Sequence, residues 1–359
     1  SLQFNEVVLE AERLNLGKQI VKRIIKEKKS RAIPKVFQSE VYQQTTMTRY
    51  LPEKERDSIT LDSYRVEYLN EIAATQFVRG QDYKKIIKAE IKQTADKQLK
   101  RFTPMTTGNN FKGSNQFTTY NPLEYFVTPE DFDIDIYDNS FKNKTLSDRP
   151  ITSPLANTAL SNYTYRLKKM DFIAEDTIFT IAVIPLFKGA PLWTGTLEVH
   201  SSEYRVTKTD LYYSPGINGF DSLNLKLVYN NENGYNLPTE KRIQYKAKLG
   251  RKDFTIKSTY RTSDYIFNST FKANFFYAEK VRYTEQALKP NADLMLEYRG
   301  VALEKDLKVF FTEQDSIYRS ITSDEYLQEQ DSIFNKITWR KIALEGFGKR
   351  RRAIGLTYT

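Results

Sequence analysis

The sequence predicts an α+β protein that is mostly β: a curved antiparallel sheet, a half-barrel or open barrel, with helices flanking it at the N- and C-terminal ends. Three observations carry this reading. From Tyr163 to about Tyr283, short alternating segments follow one another with turns and no helical period between them. The 359 residues include 24 Tyr and 22 Phe, which suit a half-buried pleated surface. Amphipathic helical spacing is clearest near the two ends of the chain.

Residues 1–14 read as a linker or exit strand from a preceding domain, because Phe4-Asn5-Glu6-Val7-Val8-Leu9 resembles the middle of a strand. Residues 15–33 read as a helix capped by Asn15 and stopped by Pro34. Leu16, Ile20 and Ile24 form its apolar stripe, widened by Val21 and Ile25; Lys22, Arg23, Lys26, Lys28 and Lys29 form the opposite face. Such a helix either covers one end of a sheet or lies on a membrane. The absence of Trp and Phe from its apolar face favours the first.

Residues 34–320 are expected to form the β-rich body. Val36–Tyr42, Tyr64–Leu69 and Gln76–Arg79 read as strands, whereas Lys84–Gln98 fits helix or strand. The Thr-, Gly- and Asn-rich stretch near 103–122 reads as a loop or internal boundary. Asp131–Ile136 alternates strictly between carboxylates and apolar side chains. Strands are then expected at Tyr163–Lys168, Thr177–Ile184, Thr194–Val199, Arg205–Tyr213, Ser222–Tyr229, Ile243–Lys248 and Phe254–Tyr260. Turn signals at Lys188–Pro191, Asn218-Gly219, Asn233-Gly234 and Gly250 separate several of them. Residues 321–359 read as a helix from Asp324 to about Leu344, with Thr322 and Glu325 as a capping box, followed by a lead-in to a membrane barrel.

The chain carries little recognisable chemistry. It has no cysteine, which excludes disulfides and thiolate metal sites. No phosphate-cradling loop or dinucleotide fingerprint occurs. The single histidine, His200, sits among Ser201 and Ser202 and reads as a surface or rim residue, not a catalytic base. Asp131, Asp133 and Asp135 resemble the start of a calcium loop, but Ile136 and Lys142 stand where that loop needs Gly and Glu. Catalytic, metal and cofactor sites are therefore not expected. The formal net charge is +10 and the pI about 9.3, yet 45 acidic residues are spread among 55 basic ones. Without a nucleic-acid-binding motif, nucleic acid is not an expected partner. The dense cluster Lys349, Arg350, Arg351, Arg352 is either a solvated tail or a contact for anionic headgroups.

Several segments resemble a known family. These are Tyr137-Asp138-Asn139, Ile151–Ala156, Tyr163–Leu167, Ile181–Pro185, Trp193–Leu197, Arg205-Val206, Asp210–Tyr212, Leu237-Pro238 and Leu249-Gly250. In this order they are similar to Bacteroidota envelope proteins that combine a carboxypeptidase-like regulatory domain, a periplasmic domain of unknown function and a C-terminal outer-membrane β-barrel. The resemblance implies the periplasmic middle part of such a protein, with its own barrel as a partner. It implies no reaction and no catalytic residue.

The expected function is accordingly non-enzymatic: binding of a lipid or other hydrophobic cargo in the curved sheet. A structural or protein-docking role at the barrel mouth is the alternative, and an envelope hydrolase the third reading. For the cargo reading, the pivotal strand is Ile178–Ile184, apolar on both faces, so that its second face meets either cargo or the protein's own helices.

Overall fold

The run Val7-Val8-Leu9 forms helix, not strand: α1 spans Leu2–Glu27 without interruption. No glycine or proline precedes Gly17 to stop it. Asn15 therefore lies inside the helix, and its Oδ1 accepts from Gln19 Nε2 one turn on, at 3.1 Å, instead of capping. The computed structural model describes residues 2–31, 34–55, 64–80, 82–94, 134–141, 149–173, 176–213, 220–232, 234–249, 252–277, 279–287, 292–300 and 303–322.

Three long strands follow α1: β1 (Val36–Tyr50), β2 (Tyr64–Arg79) and β3 (Asp82–Thr94). Pairing settles the ambiguity at Lys84–Gln98, since β3 joins β2 with Ala89 opposite Ala73. A two-stranded piece, β4 (Ser140–Phe141) with β5 (Ile151–Thr152), and one helical turn, α2 (Ala159–Asn162), lead into a meander. Its strands are β6 (Tyr163–Ile173), β7 (Asp176–Pro185), β8 (Thr194–His200), β9 (Arg205–Tyr213), β10 (Phe220–Glu232), β11 (Tyr235–Leu249) and β12 (Lys252–Phe267). Each expected meander strand is present, several of them longer than their apolar alternation. At the β10–β11 turn Gly234 has φ +80°, a conformation glycine adopts without a Cβ clash.

The sheet has eleven strands in the order β13-β3-β2-β1-β12-β11-β10-β9-β8-β7-β6, where β13 is Val281–Tyr283. It is curved and not closed. Among the described residues, the pairings within this sheet are antiparallel except β13 on β3. The pairing of β12 with β1, Tyr260 opposite Gln43, joins the two parts of the chain. A short helix, α3 (Ala292–Arg299), follows β13.

Two further expectations change. Ile134 and Ile136 are both buried, in irregular chain, so the Asp131–Ile136 alternation does not continue as a strand over its described residues. From Leu303 the chain forms a second unit, whose described part is the helix α4 (Lys305–Thr322). That helix starts inside the span expected to be β-rich, and Asp306 in its first turn suits the positive end of the helix dipole. The expected helix from Asp324, the loop near 103–122 and Lys349–Arg352 lie outside the described residues.

Candidate functional site

Strand alternation gives the meander one apolar face. Leu197, Leu211, Leu225, Leu227, Ile243 and Ile256 line it and are almost fully buried. The chain itself covers this face. Ile20, Val21 and Ile24 of α1 pack on it beside β6, and Ile134, Ile136, Phe141, Ile151 and Leu155 fill the region over β8–β10. The cavity left between these layers is about 10 Å³, room for about one water. Gly17 lets α1 approach β6, because a Cβ there would lie 2.9 Å from the Tyr165 carbonyl oxygen.

Tyrosine hydroxyls fasten the cover. Tyr165 donates to the Pro154 carbonyl at 2.6 Å, and Tyr163 to that of Thr152 at 2.5 Å. Tyr229 donates to Asp135 Oδ1 at 2.8 Å and accepts from the Ile136 N–H at 3.1 Å. Burial, then the Asp135 charge, push the Tyr229 phenol well above its ordinary range. Lys28, expected on a solvated basic face, is instead buried; it donates to Asn139 Oδ1 at 3.1 Å and the Leu155 carbonyl at 2.9 Å. On the other face of β7 Ile184 is exposed, Ile178 and Thr180 are half-buried and Ala182 is buried.

The same face changes character where β12 meets β1, β2 and β3. Register places Ser258 and Asn70 on either side of Thr45, and Tyr260 and Ile72 on either side of Gln43. These polar side chains are buried and largely bonded to one another. Thr45 Oγ1 and Ser258 Oγ are 3.0 Å apart, Gln76 Nε2 donates to Ser39 Oγ at 2.7 Å, and the Tyr260 hydroxyl donates to Gln76 Oε1 at 2.8 Å. Asn70 Oδ1 is buried with no hydrogen-bond partner among the described residues.

Lys85 is the centre of this tract. It is 2% exposed, donates to Gln43 Oε1 at 3.0 Å and lies 5.4 Å from the centre of the Tyr260 ring. Among the described residues no carboxylate forms a salt bridge with it. Burial pushes its ammonium down to about 8, against a smaller opposing pull from Glu90. A buried ammonium with spare N–H donors can hold a carboxylate or phosphate oxygen. The sequence reading missed Lys85 because one Lys in Tyr83-Lys84-Lys85-Ile86 looks like any other. Its inward placement, on the strand beside β13 at one margin of the sheet, follows from strand pairing, which no local pattern encodes.

The opposite face of β1–β3 is covered by α3. Ala73 and Ala89 leave a notch that Met295 fills. Arg299 grips Glu71 at 2.9 and 2.7 Å, Glu71 being wholly buried, while Tyr42 donates to the same carboxylate at 2.5 Å. Lys88 reaches Glu40 at 2.8 Å beside Tyr298. These groups fasten α3 to the sheet.

His200 has partners that the sequence did not suggest. Its Nε2 is 3.3 Å from Asp176 Oδ2 and its Nδ1 3.0 Å from Ser202 Oγ. Yet Ser202 also donates to Asp176 at 3.1 Å, and Ser201 does so at 2.9 Å. The groups close on each other around a half-exposed turn, so the constellation resembles a turn fastening more than a nucleophile aimed at a substrate. Asp135, the described member of the acidic alternation, is engaged by Tyr229 and by the Tyr137 N–H. The free margin of the sheet, β6, is bulged at Leu167–Lys169 and carries exposed lysines there, features that discourage strand addition. Beyond them Met170, Phe172 and Ile173 are exposed.

A family model described as "Family of unknown function (DUF5686)" matches residues 20–265. No curated protein matches the sequence. Among solved structures, a LolA superfamily protein from Nitrosomonas europaea is 14% identical, with 72% of this chain and 96% of that one covered and a TM-score of 0.24. A DUF1329 family protein from Desulfovibrio piger is 9% identical, with 74% and 97% covered and a TM-score of 0.28. Similarities this low do not bear on function.

Proposed function

This chain belongs to the DUF5686 family of unknown function, and we propose that it is a non-catalytic envelope module that binds a hydrophobic cargo with an anionic head on the covered face of its curved sheet. One observation carries the reading: an apolar face runs continuously into a polar tract centred on Lys85, a buried cation without a carboxylate partner among the described residues. An amphiphile matches that gradient, its chain against the leucines of β8–β10 and its acidic head at Lys85. Because α1 and residues 134–141 and 149–162 fill the apolar part, cargo enters only when one of these layers lifts. The order of the segments from Tyr137 to Gly250 supports a periplasmic position at the outer membrane, ahead of the protein's own C-terminal barrel.

Native mass spectrometry of envelope-expressed protein, before and after solvent extraction, tests the reading. A stoichiometric lipid-sized mass that extraction removes, and that Lys85→Met loses while Lys85→Arg keeps, is the expected result. A clean apo mass in the wild type sinks it. A docking module for envelope proteins is then the second reading, favoured by Phe172, 79% exposed at the free margin of the sheet.

A further inference from the structure

One end of the sheet gathers the entry of β1, the β2–β3 turn and the exit of β12. The Gly80 N–H donates to the Lys35 carbonyl at 2.7 Å, and the Asn268 N–H to that of Val36 at 2.9 Å, which ties these pieces together. The segment after β12 folds back over this end as an aromatic knot. Phe275 stacks on Phe271 at 5.3 Å and meets Phe77 edge-on at 5.1 Å, while Phe276 meets Phe271 edge-on at 5.1 Å. Cations close the remaining ring faces: the Arg79 guanidinium lies 4.6 Å from the Phe276 centroid and Lys84 Nζ 4.5 Å from that of Phe275. Lys84 also donates to the Phe275 carbonyl at 2.9 Å, so the knot is held rigidly.

What this knot presents outward is mixed in a particular way. Tyr277 is 82% exposed and Ile266 52% exposed. The exposed charges of these segments are Lys35, Lys272, Lys280 and Arg282, together with the carboxylates Asp82, Asp264, Glu279 and Glu285. Asp82 is already paired with Arg79 at 3.0 Å. Exposed aromatic and aliphatic side chains in segments that also expose Lys and Arg match the boundary of an anionic bilayer, where rings sit at headgroup level and cations meet phosphates.

We propose that this end of the sheet docks on an anionic lipid surface. Single-stranded nucleic acid fits less well, because it needs a succession of open ring faces for base stacking, and beside the exposed Tyr277 those of Phe271, Phe275 and Phe276 are taken up by each other, by Phe77 and by cations. The exposed side chains of this surface are not those of the covered face, although the Lys85 N–H donates to the Lys280 carbonyl at 2.8 Å, and the inference does not use the cargo reading.

The test is co-sedimentation of the full 359-residue chain with phosphatidylcholine vesicles, with and without phosphatidylglycerol. Binding is expected only to the anionic vesicles, and high salt is expected to abolish most of it. The triple variant Lys35→Glu, Lys272→Glu, Arg282→Glu is expected to weaken binding roughly 100-fold or more, from the loss of three cations near the surface. Tyr277→Ser is expected to weaken it by about tenfold. These side chains are exposed, so an unchanged thermal melt will show that the fold survives. A variant with Lys349, Arg350, Arg351 and Arg352 changed to Gln separates the two basic clusters. No binding to anionic vesicles, or binding that the Gln variant abolishes and the triple variant leaves intact, overturns the proposal.

Discussion

The two halves of the covered face bury their side chains in opposite ways. Over β6–β11 the face is aliphatic and aromatic, and a layer of the chain's own apolar residues closes it almost without a void. Over β1–β3 and β12 buried apolar side chains such as Val41, Met47, Ile72 and Ile87 alternate with a polar set, Gln43, Thr45, Ser258, Gln76 and Lys85, largely bonded sideways within the face. The first half draws on area removed from water and tolerates imperfect geometry. The polar set of the second gains little from desolvation and depends on each donor finding its acceptor.

The largest effect is expected beneath the polar half. Glu71→Ala leaves Arg299 buried without its carboxylate and should cost about 3–5 kcal/mol in urea denaturation. Leu225→Ala in the apolar half should cost a similar ~2–5 kcal/mol, by removing buried methyl groups and leaving a cavity. The two differ in rescue. Replacing Glu71 and Arg299 together with Leu and Met should recover most of the loss, because a well-packed apolar pair matches a buried ion pair. If the double variant is no better than Glu71→Ala, then α3 depends on the charges themselves, and the contrast with the aliphatic half sharpens.

The next effect reads Lys85 directly. Its ammonium is held near 8 in the fold against 10.5 ordinarily. Between those values the unfolded chain binds the proton more tightly, so stability rises as pH climbs from about 8 towards 10.5, by up to ~3 kcal/mol in all. Below pH 8 the cost of the buried charge is fully present. Lys85→Met should therefore stabilise the protein at pH 7 and flatten the rise seen in urea melts between pH 7 and pH 9.5. A wild type whose stability is flat over that range would mean that Lys85 is paired or hydrated, and the polar half would lose its free cation.

The meander was legible in the sequence because its strands have one solvent face, and alternation is the signature of that arrangement. Leu223, Leu225 and Leu227 sit between Asn224 and Lys226 and could be read directly. The β1–β3 region was harder because both of its faces are covered. In β2, Leu69 to Thr75 is buried at every position, so no period of two survives. The α1 start was misread because Val7-Val8-Leu9 suits a strand locally, and only the continuity of the helix to Glu27 decides otherwise. Lys85 and the His200–Asp176 contact were not legible at all. Each depends on residues brought together by strand pairing, and no local pattern encodes that.

The smallest expected effect tests how α1 is seated on the apolar half, and two forces oppose each other there. Gly17→Ala favours the helix itself by up to about 1 kcal/mol. But the new methyl group would stand 2.9 Å from the Tyr165 carbonyl and 3.1 Å from the Leu167 nitrogen, backbone atoms of a paired strand that cannot swing aside. The helix must move outward, loosening Ile20, Val21 and Ile24, and overpacking of this kind costs about 1–3 kcal/mol. The steric cost should win, giving a net loss of about 1–2 kcal/mol. Hydrogen exchange should quicken in α1 while β1–β3 stay protected. If the covered face takes cargo as proposed, the same variant should also admit it faster, since α1 is part of the cover. Unchanged exchange in α1 would mean that the helix already stands off the sheet, and residues 134–141 and 149–162 would then carry the cover of the face.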